Sequence, residues 1–411
     1  MLRITAIAMP EILERHILSH NPLHASAPVH DPDFVERGRL HTEEMVLNMG
    51  PQHPSTHGVL RLEVVLDGEL VVDVIPHIGY LHRCFEKHAE QLTYPQIIPY
   101  VDRMDYIAAM SGEHGYVTAV ERMMNIEVPE KVEFIRVLFA ELQRIASHLI
   151  AIGTFGMDSG AFTPFLYCFR DRETILEMFE KTSGARFLYN YMWVGGLSHD
   201  LHADVLPMCR EFLKTSRATH KEINDLLTFN HIFRQRTAGI GVLDAEVAIN
   251  GGASGPMLRA CGVKWDVRKN DPYSIYDRFD FEVAVGSDKL ATLGDSFNRN
   301  WVRMVEWEQS LNIIEQILEQ YPMNDLTDVQ SAIPKRLKPP EGEIFSRTET
   351  PRGELGYYIV SKGDVKPWRV KVRSPAFSNL SLLPLISRGY LIADLIVILG
   401  SIDIVLGEVD R

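Results

Sequence analysis

Three stretches of this chain carry residue types that could do chemistry. In GPQHPSTHG, residues 50–58, His53 and His57 sit in a loop stiffened by Pro51 and Pro54, with Gly50 and Gly58 letting the chain turn at either end. Histidine's unperturbed pKa of about 6.5 suits it to proton transfer near neutrality. Two histidines at this spacing on a helix could share a metal, but Pro54 between them argues against a helix and no HExxH is present. The plainer reading is that both satisfy backbone groups in a turn. In VDRMDY, Tyr106 follows Asp102, Arg103 and Asp105. Its hydroxyl can donate to a carbonyl and steady a developing oxyanion; the plainer reading is a core ring with its hydroxyl on a backbone carbonyl. In SHLIAIGTFGMDSG, His148 lies on a long helix with Asp158 expected just past its end, where an acid could fix the imidazole tautomer or relay a proton. Together these stretches offer His, Tyr and Asp without a nucleophile, a metal-ligand set or a nucleotide loop. That profile fits a site that positions a polar, redox-active or carbonyl-bearing ligand and supplies protons.

The elements that must position these residues follow from periodicity. Leu60, Leu62, Val64 and Leu66 alternate with Arg61, Glu63 and Val65, Asp67-Gly68 is a hairpin signal, and the return strand is expected over Leu70–Ile75. From Leu81 to Leu227 the pattern is mostly helical. Pro129-Glu130 starts a helix whose Val132, Ile135, Leu138, Leu142, Ile145 and Leu149 form an apolar stripe, widened by Phe134, Val137 and Phe139 so that several sides are buried; Gly153 and Gly156 are expected to end it. Further helices are expected over Arg172–Thr182, Leu206–Leu227 and Asp295–Gln320. The Gly-rich passage 239–273 lacks both a Lys-Ser/Thr after its glycines and a strand–GxGxxG–helix order, which argues against a phosphate cradle. Strands are expected at Tyr357–Val360 and Arg369–Val372, with the tight turn of ETPRGELGYYIVS delivering Arg352 and Glu354 to one place. Helices between two β parts, which are expected to lie near each other, make the fold class α+β. The segments are an extended arm at 1–42, a β-hairpin part with the site loop at 43–80, a helical core at 81–330 and a C-terminal α+β part at 331–411.

Composition bounds the function classes. The 411 residues are 45% hydrophobic and 24% charged, an ordinary globular mix. A net charge of −13, from 42 Lys+Arg against 55 Asp+Glu, argues against nucleic acid and against adhesion to anionic lipid. The cysteines, Cys84, Cys168, Cys209 and Cys261, show no CxxC pair, so no disulfide framework or iron–sulfur motif is readable and a reducing compartment is expected. No signal peptide is apparent, and the apolar run Leu391–Leu406 carries Asp394 and Asp403, which favours buried strand and helix over a membrane span.

Many separate motifs, GPQHPSTHGVLRL, IGYLHRCFEK, ELQRIASHL, TPFLYCFRDRE, ARFLYNYMWVGG, LRACGVKWDVRK, RGELGYYIVS and the terminal GEVDR, occur in an order that resembles the D subunit family of proton-pumping NADH–quinone oxidoreductase, respiratory complex I. That family is related to the large subunit of nickel–iron hydrogenases, and the resemblance runs from about Glu43 to Arg411. It implies a hydrogenase-large-subunit-like fold, a central helical bundle flanked by N- and C-terminal β parts. It also implies a quinone cavity shared with the small subunit that carries the terminal iron–sulfur cluster, with His57 and Tyr106 as headgroup contacts and Asp158 as the partner of His57. The hydrogenases hold their metal with two CxxC pairs; here the first region has only Cys84 and the second, SIDIVLGEVDR, has no cysteine. The resemblance therefore implies no metal or cofactor bound by this chain, quinone (ubiquinone or menaquinone) as substrate, and iron–sulfur clusters and FMN on partner subunits. The implied partners are the other complex I subunits: the small iron–sulfur B subunit, the C and I subunits and the membrane H subunit. The chain is then peripheral, on the cytoplasmic face of the bacterial inner membrane. A membrane-bound hydrogenase large subunit, a structural subunit that lost the site, and a ferredoxin-fed photosynthetic relative are the alternatives.

Overall fold

The computed structural model describes residues 44–322, 325 and 328–411; the expected N-terminal arm lies outside the described residues. Strands β1 (Glu44–Met49), β2 (Arg61–Asp67) and β3 (Leu70–His77) form an antiparallel sheet with β2 in the middle. The expected alternation holds: Leu62, Val64 and Leu66 are buried while their neighbours on β2 are partly exposed. The hairpin turn sits one residue later than expected. Asp67 pairs with Leu70, so Gly68 and Glu69 are central, and positive φ is needed only at Gly68, the pattern of a II′ turn.

The helical region begins with α1 (Phe85–Ala89), α2 (Tyr94–Val101), α3 (Ala109–Met124), α4 (Glu130–Asp158) and α5 (Phe162–Ser183). A small antiparallel pair follows, β4 (Met192–Trp193) with β5 (Gly196–Leu197). Then come α6 (Val205–Ile223), prolonged by a π-helical turn over Asn224–Thr228, and, after several short helices, α7 (Ser296–Gln320). Helix α4 is the axis of the molecule, with α5, α7 and α3 packed around it. Gly153 and Gly156 do not end α4. A Cβ at Gly153 would stand 3.3 Å from the Phe165 backbone, and one at Gly156 would stand 3.2 Å from Leu227, so these glycines let α5 and the π-helical turn approach closely. Helix α5 begins ten residues earlier than the expected Arg172, at Phe162, because its first turns present Phe162, Phe165, Leu166 and Phe169, apolar residues without a clean helical stripe.

The C-terminal sheet contains an unexpected strand: β6 (Gly342–Thr350) pairs with β7 (Gly353–Ser361), which pairs with β8 (Arg369–Arg373). This sheet lies on α3, where a Cβ at Gly115 would stand 2.7 Å from Thr348 and 3.1 Å from the Tyr357 ring. Four short helices close the chain: α8 (Pro375–Leu380), α9 (Leu383–Ser387), α10 (Ile392–Ile402) and α11 (Leu406–Asp410). The run Leu391–Leu406 is thus helical throughout its structured part, and no helix of the described residues is long and apolar enough to cross a membrane.

The expected α+β class is met, and the packing divides it into two apolar clusters. One joins the central helices to β7 and β8. The other joins the N-terminal sheet to the loops around Leu243–Cys261 and the C-terminal helices, through Leu62, Val64, Ile398, Ile402 and Leu406. The N-terminal sheet therefore meets the C-terminal part through helices, α9 against β3 and an isolated bridge between Leu70 and Leu391.

Candidate functional site

His57 is held by its own loop. His53 caps a single 3-10 turn, Pro54–Thr56, its Nδ1 accepting the Ser55 N–H at 3.2 Å, while the Thr56 hydroxyl donates to the His53 carbonyl at 2.8 Å. His57 follows in the left-handed region, with φ 53°, a conformation disfavoured outside glycine that turns its side chain out of the loop. Gly50, at φ 82°, is required: a Cβ there would overlap the Leu60 carbonyl oxygen at 1.9 Å. The loop is pressed against α10, and His57 Nε2 lies 2.6 Å from Asp158 Oδ2 on the last residue of α4. Gly400 on α10 makes room for this pair, since a Cβ there would stand 2.6 Å from Asp158 Oδ2. The plain turn-stabilising reading thus describes His53, whereas His57 reaches across 101 residues to an acid.

Tyr106 stands on the turn between α2 and α3. Its neighbour Asp105 is buried, accepts the Ile107 N–H at 3.2 Å and receives Arg352 Nη1 at 2.7 Å. Arg352 projects from the β6–β7 hairpin. It also donates to the Ser147 hydroxyl at 3.2 Å, to the Asp403 carbonyl at 3.0 Å and to Asp403 Oδ1 at 3.3 Å. The Tyr106 ring lies 6.2 Å from that of Phe187, and a Cβ at Gly407 would stand 2.5 Å from the Met104 carbonyl and 3.4 Å from the Tyr106 ring, so α11 backs this turn closely.

Charge links the two halves. Burial alone would lower the His57 pKa, but the hydrogen bond and charge of Asp158, with the charge of Asp403, hold it above its ordinary value. Asp403 acts at the same time on Asp105, whose pKa is raised by burial and by Asp403 against the pull of Arg352. Burial raises the Tyr106 hydroxyl, so it stays a proton donor at neutral pH. Glu408 on α11, buried beside Asp105, is pushed up to about 8. One guanidinium therefore serves three buried acids, and the acids beside His57 favour its protonated form. Such an arrangement can donate protons from an imidazolium and a phenol to a ligand that gains electrons.

Two sequence expectations are corrected. His148 does not meet Asp158; its Nε2 lies 2.8 Å from Glu306 Oε2, because α4 continues straight through both residues and ten helical residues separate them by about 15 Å. Arg352 and Glu354 do not converge: Arg352, in the turn between Thr350 and Gly353, points inward to Asp105 and Asp403, while Glu354, in the ladder opposite Glu349, faces Arg347 at 3.5 Å. Arg352, Asp403 and Glu408 join the site without a motif that marks them. The available signal was an acid, Asp403, inside an otherwise apolar run. Among the described residues no group of three or more His, Cys, Asp or Glu is placed to hold a metal; Cys84 is exposed and Cys168, Cys209 and Cys261 are buried and unpaired.

Comparison with known proteins adds the family. The model of the respiratory-chain NADH dehydrogenase 49 Kd subunit matches residues 158–411. The chain is 58% identical to the NADH-quinone oxidoreductase D subunit of Chlorobium chlorochromatii over 373 residues, 90% of this chain and 93% of that one. It is 57% identical to the D subunits of Chlorobaculum tepidum and Prosthecochloris aestuarii, with the same coverage. The chain belongs to the NADH-quinone oxidoreductase D subunit family, the 49 Kd subunit of respiratory-chain NADH dehydrogenase, and is a core subunit of complex I.

Proposed function

We propose that this chain, together with the small subunit carrying the terminal iron–sulfur cluster, forms the pocket in which quinone is reduced, and that His57, Asp158 and Tyr106 are its proton-handling residues. The observation that carries the reading is the 2.6 Å contact between His57 Nε2 and Asp158 Oδ2, in a loop that turns His57 outward. With Nε2 engaged by Asp158, Nδ1 is the ring nitrogen left for a headgroup oxygen. The carboxylate favours the imidazolium, and Tyr106 offers its hydroxyl to the second oxygen. Reduction consumes two electrons, delivered from the partner's cluster, and two protons, one from His57 Nδ1 and one from Tyr106, giving quinol. The emptied donors are then a neutral imidazole and a phenolate beside Asp105, Asp403 and Glu408, and refilling them starts the coupling to proton pumping. In this reading the chain sits peripherally on the cytoplasmic face of the inner membrane, against the B, C, I and H subunits, and the flavin and clusters belong to its partners.

Replacing Tyr106 with Phe tests the assignment in the purified complex. The ring and its contact with Phe187 are kept and one donor is lost, so quinone reduction should fall by about 10²-fold, while NADH oxidation by an artificial acceptor at the flavin is unchanged. Quinone reduction with native kcat and KM in that variant would overturn the role of Tyr106.

A further inference from the structure

A second pair of acids lies behind the Tyr106 turn. Asp102, which closes α2, and Glu113, on the first turns of α3, are both fully buried. One oxygen of each is satisfied by three consecutive backbone N–H groups leading into β4. Asn190 donates to Asp102 Oδ2 at 2.9 Å; Tyr191 and Met192 donate to Glu113 Oε2 at 3.0 and 2.6 Å. The other two oxygens, Asp102 Oδ1 and Glu113 Oε1, are buried without a donor, and the two carboxyl groups are in hydrogen-bonding contact with each other.

Two ionised carboxylates cannot occupy this position stably. Both oxygens would be orphaned acceptors, and the like charges would repel in a site closed to water. The cations nearby are occupied elsewhere. Arg136 on α4 is held bidentately by Glu121 at 2.9 and 2.7 Å, and Arg103, exposed, donates to the Pro99 carbonyl at 2.5 Å. The remaining groups that face the pair are phenols: Tyr189 and Tyr191 from the segment before β4, and Tyr357 from β7. A single proton between the two carboxyls turns two orphaned acceptors into one donor and one acceptor.

We propose that Asp102 and Glu113 share one proton, and that this protonated pair is a clamp that positions the turn carrying Asp105 and Tyr106. Its role toward quinone rests on the reading of Tyr106 given above; the shared proton itself does not. Burial and the charge of Asp102 push Glu113 well above the usual carboxylate range, and burial raises Asp102, so the pair keeps its shared proton beyond the pH at which free carboxyls lose theirs. When the proton leaves, two anions face each other, and α2, α3 and residues 190–192 lose the contact that draws them together. The two residues are positioning residues that act through Tyr106.

The test uses the purified complex with Glu113→Gln, Asp102→Asn and Glu113→Ala. The infrared difference spectrum, native complex minus each amide variant at neutral pH, should contain a protonated-carboxyl band in both cases; no such band in either difference overturns the shared proton. In native complex the KM for quinone should stay flat through neutrality and rise on the alkaline side as the clamp loses its proton. Glu113→Gln, which supplies a permanent N–H where the proton sat, should keep the neutral KM within about twofold and lose the alkaline rise. Glu113→Ala should raise KM about tenfold at every pH without affecting electron transfer to an artificial acceptor at the flavin. If that variant does not assemble, Glu113→Gln alone decides. A native-like alkaline rise in Glu113→Gln overturns the clamp. Tyr106→Phe separates the two readings: if it impairs quinone reduction while Glu113→Ala and Glu113→Gln behave as native, the clamp fails; if Tyr106→Phe is itself silent and the infrared band behaves as expected, the assignment of Tyr106 fails and the shared proton stands.

Discussion

Two of the histidines that hydrogen-bond a carboxylate through Nε2 are driven in opposite directions. His148 meets Glu306 at 2.8 Å and its pKa is lowered; His57 meets Asp158 at 2.6 Å and its pKa is raised. The partner is not the difference. His148 is wholly buried among cations, with Arg144 and Arg303 acting against its protonation, and its Glu306 is already bound by the Arg259 guanidinium through Oε1. His57 has a second acid, Asp403, near its pair. The clusters behind them differ in the same way. In the interior, Arg144, Arg259 and Arg268 interleave with Glu141, Asp266, Glu306 and Glu349, and three of the four acids are held below their usual range, Asp266 at about 2. Glu349 is the exception, raised by burial and by Asp266. Around Tyr106, Arg352 faces Asp105, Asp403 and Glu408, and both Asp105 and Glu408 are raised. A nearly balanced cluster makes fixed charge that holds helices together; one short of cations keeps protons within reach of neutral pH, which is what a proton-handling site needs.

The sharpest way to break this comparison is to remove one arginine from each cluster. Arg352→Met leaves Asp105 and Asp403 buried without their guanidinium and should cost about 3–5 kcal/mol of stability, seen as a fall in the melting temperature of the complex. Lowering the pH should recover much of that loss, because raised acids take up protons readily. Arg259→Met also destabilises, but Glu306 and its neighbours keep Arg144, Arg268 and Arg303 nearby, so acid should recover little. Equal losses with equal pH dependence would mean that the two clusters do not differ in kind.

A smaller change acts on the site pair alone. Asp158→Asn keeps the size of the side chain beside Gly400 and removes the charge. The His57 pKa should then fall, because both the hydrogen bond to a carboxylate and the attraction of Asp158 are what outweigh burial. An imidazolium donor is lost as pH rises through its pKa, so the alkaline limb of quinone reduction should move to lower pH, with a rate about tenfold lower at neutrality. A limb that stays in place shows that His57 is not the group that titrates.

How much of this was legible in the sequence follows from the length of each interaction. The hairpin was readable because its signals are local: alternation at Leu62, Val64 and Leu66 and a glycine at the turn. His57 stood out because a stiff loop of Pro and Gly around a His is unusual, and its acid came from the resemblance of the chain to a family, not from spacing. Spacing points to the wrong histidine for Asp158, since Gly153 and Gly156 look like a helix end in sequence, whereas they admit α5 and the π-helical turn. The Arg352–Asp105 pair spans 247 residues and the Arg259–Glu349 pair 90; no local pattern encodes either. The C-terminal strand β6 gives no alternating signal because none of its first four positions is buried, where it pairs with β7 at the edge of the sheet.

The finest probe of the comparison is the pH dependence of stability contributed by each histidine. His57 has a folded pKa above its unfolded value of about 6.5, so the native state binds more proton than the unfolded state above that pH. Its contribution is fully present below about 6.5 and is lost as pH rises through the folded value. His148 has a folded pKa below the same unfolded value, so the unfolded state binds more proton on the acid side, and stability falls as pH drops below about 6.5. Each effect is limited to roughly 1.4 kcal/mol for every pKa unit of displacement. Replacing either residue with Gln also removes packing and hydrogen bonds, but that loss is the same at every pH and shifts the curve without changing its slope. Melting temperatures of the complex from about pH 5 to 9 should therefore show His57→Gln flattening the decline on the alkaline side and His148→Gln flattening it on the acid side. If both substitutions flatten the same side, the two His–carboxylate pairs are electrostatically alike, and the imbalance of charge around Arg352 has no bearing on His57.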